Sequence, residues 1–119
     1  LLVWHKELWL IDQGASLYFH YTWTNWEKQS ISPFTQIKDH VLLPWATQLD
    51  KIDTICKSKL SIETIIDIIR TVPDDWLQWE GSNETTEEKR NIYIEFFKRR
   101  IAHSDIFVKE AQNARKTSL

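Results

Sequence analysis

The feature that most constrains this sequence is an apolar run that ends abruptly in an acid and a glycine. Residues 8–11 are Leu, Trp, Leu and Ile, and Asp12, Gln13 and Gly14 follow directly. Apolar residues that do not alternate with polar ones indicate a strand covered on both faces. A carboxylate at the end of such a strand is costly unless a positive group meets it. Two interpretations stay open: Asp12 meets a positive group, or it caps a turn that Gly14 permits.

A second apolar run, residues 1–4, precedes the first and is separated from it by His5, Lys6 and Glu7. This arrangement predicts a tight β-hairpin. A two-stranded hairpin is marginal in water on its own, so we expect another part of the protein to cover its apolar surface. Where it stays uncovered, we expect self-association through the hairpin edge or the apolar patch.

Length and composition limit the classes of protein that the chain can belong to. Its 119 residues suit one domain or part of one, and the absence of methionine predicts a fragment of a longer protein. A net charge of -2 provides no basic footprint, which argues against nucleic acid as a partner. No apolar run is long enough for a membrane span, and a single cysteine suits a reducing compartment, so we expect a cytoplasmic protein without a membrane partner.

Helical spacing dominates from residue 34 onward, which defines an expected helical lobe over residues 34–119 after a hairpin unit over residues 1–17. Ile37 and Val41 predict a short helix over 34–43 that Pro44 ends, and a second helix is predicted over 45–57. Ser61 is the predicted N-cap of a third helix, which has one strongly apolar face and ends at Pro73.

The capping-box spacing of Thr85 and Glu88 opens a long helix that is predicted to reach about Arg115. The expected fold is therefore mainly α with a short N-terminal β-hairpin, followed by four or five helices of which the last is the longest.

Three polar groups allow a functional and a structural interpretation. Asp39 and His40 form an acid-imidazole pair or a solvated helix face, and adjacent helical residues do not face each other. The acids at 74 and 75 bind a metal or begin a short helical turn with Asp74 as its cap. The basic run over 98–100 contacts phosphate or nucleic acid, or it is a solvated face of the long helix.

The first 20 residues resemble the HipA-like kinases of bacteria, particularly the small stand-alone group in which the Asp-x-Gly motif runs into an aromatic segment. The run Lys-Asp-His-Val-Leu-Leu-Pro at 38–44 and the run Pro-Asp-Asp-Trp-Leu at 73–77 add to the resemblance. Gln13 stands where a phenylalanine is common in kinases, so the aromatic on/off switch of protein kinases is not carried over.

The resemblance implies the C-terminal helical lobe of a protein-kinase-like fold, which transfers the ATP γ-phosphoryl group to a protein hydroxyl. Asp12 would then be the Mg²⁺ ligand, with Gly14 beside the nucleotide, and Mg²⁺ and ATP would be the cofactors of the full-length protein. The catalytic loop and the nucleotide-binding lobe would precede Leu1, so we expect the chain alone to be inactive and to hold no cofactor.

The aromatic segment over 15–26 would shape the substrate side of the cleft, or it packs over the first helices. His20 likewise contacts substrate or phosphate, or it is a packing histidine. HipA-like kinases modify protein serines and pair with DNA-binding antitoxins. The sequence of this chain specifies neither a substrate nor such a partner. The rival hypothesis is a non-enzymatic helical domain that binds a partner protein through its exposed aromatic segment.

Overall fold

A short hairpin and a set of helices make up the computed structural model, which describes residues 2–11, 16–17, 19, 23–78 and 81–117. These residues are mainly helical, as the sequence predicts. Strands β1 (Leu2–Trp4) and β2 (Glu7–Trp9) are antiparallel neighbours. The α-helices in these ranges are α1 (Trp26–Ser30), α2 (Leu49–Lys59), α3 (Ile62–Arg70), α4 (Thr86–Ala102) and α5 (Ser104–Thr117).

The hairpin turns within two residues. Leu2 lies opposite Trp9 and Trp4 lies opposite Glu7, which leaves His5 and Lys6 as the turn. Both have positive φ, at 50° and 67°, as the type I′ turn of a tight hairpin requires. Neither is a glycine, so each takes the left-handed conformation at some cost in backbone energy.

The main core lies where α3 packs on α4, and its centre is aromatic. Phe19 is fully buried, with its ring centroid 4.5 Å from that of Phe96 and 5.4 Å from that of Tyr93. Burial of Tyr93 raises the pKa of its hydroxyl to about 12, so this side chain stays neutral. The other buried members of this core are aliphatic: Ile65, Ile69 and Leu77.

Phenylalanine and tyrosine occupy the centre of this core. Trp23 and Trp26 pack against its edge, whereas Trp45 and Trp76 are each 74% exposed.

A smaller core holds α5 to the middle of the chain. It consists of Leu43, Ala111 and Ala114, with Ile37 and Leu49 packed around them. The small alanine side chains let α5 approach the 3₁₀ helices Thr35–Asp39 and Leu43–Trp45 closely.

The helix predicted over 34–43 is wrong in type and extent. The chain forms the two 3₁₀ helices there, and Pro44 lies inside the second one instead of ending an α-helix. Val41, expected on the apolar face, is 76% exposed. Proline lacks an N–H and disfavours helical conformation in the residue before it, so an α-helix cannot run through this region, and α2 begins at Leu49 instead of residue 45.

The single long helix predicted from Thr85 is also wrong, because the chain breaks it at His103. Helix α4 is longer than α5, so the longest helix of the described residues is not the last. His103 leaves helical geometry at φ -111° and ψ 27°. The two halves pack on different partners, α4 on α1 and α3, and α5 on α2, so one straight helix could not serve both cores.

Both predicted N-caps at Ser61 and Thr85 are confirmed. The Ser61 hydroxyl accepts from the Thr64 backbone N–H at 3.2 Å. Thr85 and Glu88 form the full capping box, because the Thr85 hydroxyl accepts from the Glu88 N–H at 3.2 Å and the Glu88 carboxylate accepts from the Thr85 N–H at 2.7 Å.

Removing the capping box should lower stability measurably. We expect Thr85→Ala to reduce the free energy of unfolding by about 1 kcal/mol, since the first turn of α4 loses a side-chain acceptor. Urea unfolding followed by circular dichroism measures this loss. The matched control is Thr86→Ala, which removes the same atoms one residue later and should be close to neutral. Equal losses in the two variants would show that the cap contributes nothing.

A polar contact between α2 and α5 should make stability depend on pH. The Ser104 hydroxyl donates to Asp53 at 2.5 Å, and Lys57 lies 3.0 Å from the same carboxylate. The Ser104 bond, followed by Lys57, lowers the pKa of Asp53 below its ordinary 3.8. A pKa lowered in the folded state means that this stabilisation is complete above 3.8 and is lost as the pH falls through the lowered value.

We therefore expect Asp53→Asn to lose less stability than the wild type between about pH 6 and about pH 3, measured as the shift of the urea midpoint. Ser104→Ala, which removes the main cause of the lowered pKa, should reduce the pH dependence in the same direction. An unchanged pH dependence in Asp53→Asn would contradict this assignment.

Candidate functional site

The residues that the sequence singles out for function are not among those described. Asp12 and Gly14, predicted for metal and nucleotide, and His20, predicted for the substrate side, all lie outside the described ranges. Within the aromatic segment over 15–26, Phe19 lies in the core and Trp23 at its edge. This part of the segment packs as one interpretation expects, but Phe19 packs against Tyr93 and Phe96 of α4 instead of over the first helices.

The hairpin before Asp12 presents apolar side chains to solvent. Glu7, Leu8 and Trp9 of β2 are all exposed, and so are Leu10 and Ile11. The large apolar residues of this surface, each between 46% and 74% exposed, are Trp4, Leu8, Trp9, Leu10 and Ile11. Successive strand residues such as Leu8 and Trp9 point to opposite faces, so apolar side chains are exposed on both faces of the hairpin. Exposed apolar surface of this extent marks a place where another molecule or another part of a protein packs. We call these five residues the hairpin surface.

A polar cleft opens beside α4, and it is lined by polar and charged side chains of the described residues. Its volume is about 530 Å³. Its lining residues are Ser16, Gln29, Ser32, Pro33, Phe34, Gln36, Phe96 and Arg100. We call it the Arg100 cleft, because Arg100 is the charged residue in this lining.

The Arg100 guanidinium contacts aromatic rings instead of a carboxylate. Its guanidinium carbon lies 4.0 Å from the ring centroid of Phe107 and 5.9 Å from that of Phe96. Such cation–π contacts are worth about 0.5–2 kcal/mol, more when water is excluded. Partial burial lowers the pKa of Arg100 below its ordinary value. No ion pair within the described ranges involves this guanidinium, so its N–H groups remain available.

The residues of the basic run over 98–100 therefore lie in two different environments. Lys98 pairs with Glu95 at 3.2 Å on an exposed helix face, and Arg99 lies exposed above the Trp26 ring at 5.5 Å. These two residues fit the predicted solvated face. Arg100 does not, since it is half-buried. The sequence held a signal for this, because Phe96 precedes Arg100 by one helical turn, but the contact with Phe107 depends on the break at His103.

Arg100 also borders two further openings, one between α3 and α4 and one where α2, α4 and α5 meet. One is an apolar groove of about 300 Å³, lined beside Arg100 by Leu60, Ile65, Ile68, Ile69, Phe97 and Ile101. The other, of about 280 Å³, contains Asp53, Lys57 and the exposed Cys56. Ile68 of α3 is 55% exposed beside the groove.

Asp74 and Asp75, for which metal binding is one interpretation, lie in the first turn of a 3₁₀ helix. Asp74 begins the 3₁₀ helix Asp74–Leu77, where the sequence predicts a helical turn, but it is not the cap, since Pro73 holds that position. Asp74 instead accepts from the Arg90 guanidinium, which also donates to the Val72 carbonyl at 2.8 Å. Across the described part of the chain, no three His, Cys, Asp or Glu side chains lie together as a metal site.

The Asp39–His40 pair is not formed either. His40 Nδ1 accepts from the Leu42 backbone N–H at 3.2 Å, so the ring closes a local turn on an exposed surface. None of the described helices is both long enough and apolar enough to cross a bilayer.

Comparison with known proteins identifies no relative: no protein-family model, curated protein or solved structure matches the chain.

Proposed function

We propose that this chain is the C-terminal helical lobe of a HipA-like kinase, which transfers the γ-phosphoryl group of ATP to a protein hydroxyl. The observation that carries the proposal is the apolar run ending in Asp12 and Gly14, with the aromatic segment directly after it. In this proposal Asp12 is the Mg²⁺ ligand and Gly14 lets the backbone turn beside the nucleotide.

The chemistry needs only one fixed carboxylate from this part of the protein. Mg²⁺ is usually held by one or two carboxylates together with phosphate oxygens and water, so a lone Asp12 fits such a site without a larger acidic cluster. Asp12 would hold the ion, which would supply positive charge against the negative charge that develops on phosphate during transfer. The task of this chain is then to orient Asp12 through the strand before it and the turn after it.

Two properties of the described residues support the proposal. The hairpin surface is apolar and exposed, as we expect where the rest of a kinase domain would pack against it. Ser16, four residues after Asp12 in the sequence, lines the Arg100 cleft, so the chain leads from the proposed metal ligand to a polar cleft.

The test is an Asp12→Ala variant of the longer protein that contains the preceding catalytic loop and nucleotide-binding lobe. Loss of a metal ligand should cost several kcal/mol of transition-state stabilisation, which lowers turnover about a hundredfold or more. Transfer of radiolabelled phosphate from ATP measures it. The matched control is Asp67→Ala, an exposed aspartate on α3, which should keep wild-type turnover. Wild-type turnover in Asp12→Ala would refute the metal assignment.

Residues 1–119 alone should neither hydrolyse ATP nor transfer phosphate, because the proposed catalytic loop and nucleotide-binding lobe precede Leu1. A sensitive assay of released phosphate, run with and without Mg²⁺, checks this. If the isolated chain is active and Asp12→Ala abolishes that activity, the proposal that catalysis also needs the preceding lobe and loop is contradicted.

The second candidate is a helical domain that binds a partner protein without catalysis, and the exposed hairpin surface is the observation that favours it. The coding sequence upstream of Leu1 separates the two. An asparagine directly before Leu1, with an aspartate a few residues earlier, favours the kinase. A polar linker or an unrelated domain favours the binding module.

A further inference from the structure

The donors of the Arg100 cleft have no acid to meet among the described residues. The Arg100 guanidinium carbon lies 4.0 Å from the centroid of the Phe107 ring, and no described side chain or backbone group accepts a hydrogen bond from its N–H groups. By contrast, the half-buried Arg90 donates to Asp74 and to a backbone carbonyl, as a desolvated guanidinium usually does. The position of Arg100 therefore suits an anion supplied from outside these residues.

The walls of the cleft add further donors. The Ser16 hydroxyl and the Gln36 amide line it, and neither makes a hydrogen bond with another described residue. Gln29 spends one amide N–H on the Thr24 carbonyl at 3.2 Å and keeps the second. No Asp or Glu is found among the described residues of this lining, so none of these side chains repels a negative charge.

The two neighbouring openings are less suited to an anion. The apolar groove offers aliphatic and aromatic side chains beside Arg100. The other opening contains the Asp53 carboxylate, which already accepts from Ser104 and Lys57 and would repel a second negative group. An anion that contacts Arg100 is therefore expected on the side of the Arg100 cleft.

We propose that the Arg100 cleft binds a phosphate group, with the guanidinium as a two-pronged donor and with Ser16 and Gln36 donating from the walls. A planar guanidinium matches two oxygens of one phosphate, and the further donors suit the remaining oxygens of a tetrahedral anion better than they suit a carboxylate. The volume of about 530 Å³ accommodates a phosphate attached to a larger molecule. The site stands independently of the kinase proposal, since it uses neither Asp12 nor Mg²⁺.

The experiment is a titration of the 119-residue chain with inorganic phosphate, followed by ¹⁵N-resolved NMR. We expect saturable shifts of the Arg100 side-chain signal and of the Ser16 and Gln36 amides. Sulfate should reproduce them, whereas acetate should bind at least about tenfold more weakly. O-phosphoserine distinguishes the source of the phosphate: tighter binding than inorganic phosphate indicates a phosphorylated molecule, and equal binding indicates the free ion. Either result supports the site.

The matched variants are Arg100→Gln and Arg99→Gln, which remove the same charge from adjacent residues of α4. We expect Arg100→Gln to weaken phosphate binding at least about tenfold and Arg99→Gln to leave it unchanged. Because the stacked Arg100 side chain also supports packing, Arg100→Lys provides a second variant. It keeps the charge without the planar fork, and it should bind with intermediate affinity.

Two results would overturn the proposal. One is the absence of saturable shifts with phosphate in the wild type. The other is equal binding by the wild type and a folded Arg100→Gln.

Discussion

The contact of Phe19 with Tyr93 and Phe96 is the interaction on which the rest of the structure depends. Phe19 comes from the aromatic segment near the N-terminus and the other two rings come from α4, so this contact joins distant parts of the sequence. Full burial of one phenylalanine is worth about 1.5–3 kcal/mol, and ring contacts of this geometry add to it. Ser16 lies only three residues before Phe19, so the same contact positions one wall of the Arg100 cleft.

The break at His103 divides the helical part between two cores. Helix α4 completes the aromatic core, and α5 turns away to pack its alanines on the 3₁₀ helices and α2. Arg100 lies one turn before the break, where the ring of Phe107 from α5 comes back over its guanidinium. A straight helix would place Phe107 two turns farther along the axis, so the contact between Arg100 and Phe107 depends on the break.

The two proposals concern different ends of the same segment. The kinase proposal concerns the first 20 residues and gives Asp12 the role of metal ligand. The Arg100 cleft depends on contacts between the segment that follows and α4. A hairpin that exposes five large apolar residues is unfavourable for an isolated domain, and this cost is understandable if another part of the protein covers it.

The sequence by itself determined the features that depend on near neighbours: the mainly helical character, the N-caps at Ser61 and Thr85, and the apolar face of α3. A cap or an amphipathic face is encoded within four residues, so its signal survives without knowledge of the fold. Only the tertiary structure decided the 3₁₀ helices around Pro44, the break at His103, the exposure of Trp45 and Trp76, and the placement of Arg100. Each of these features depends on contacts between side chains that are far apart in the sequence. A pattern within a few neighbouring residues does not contain that information.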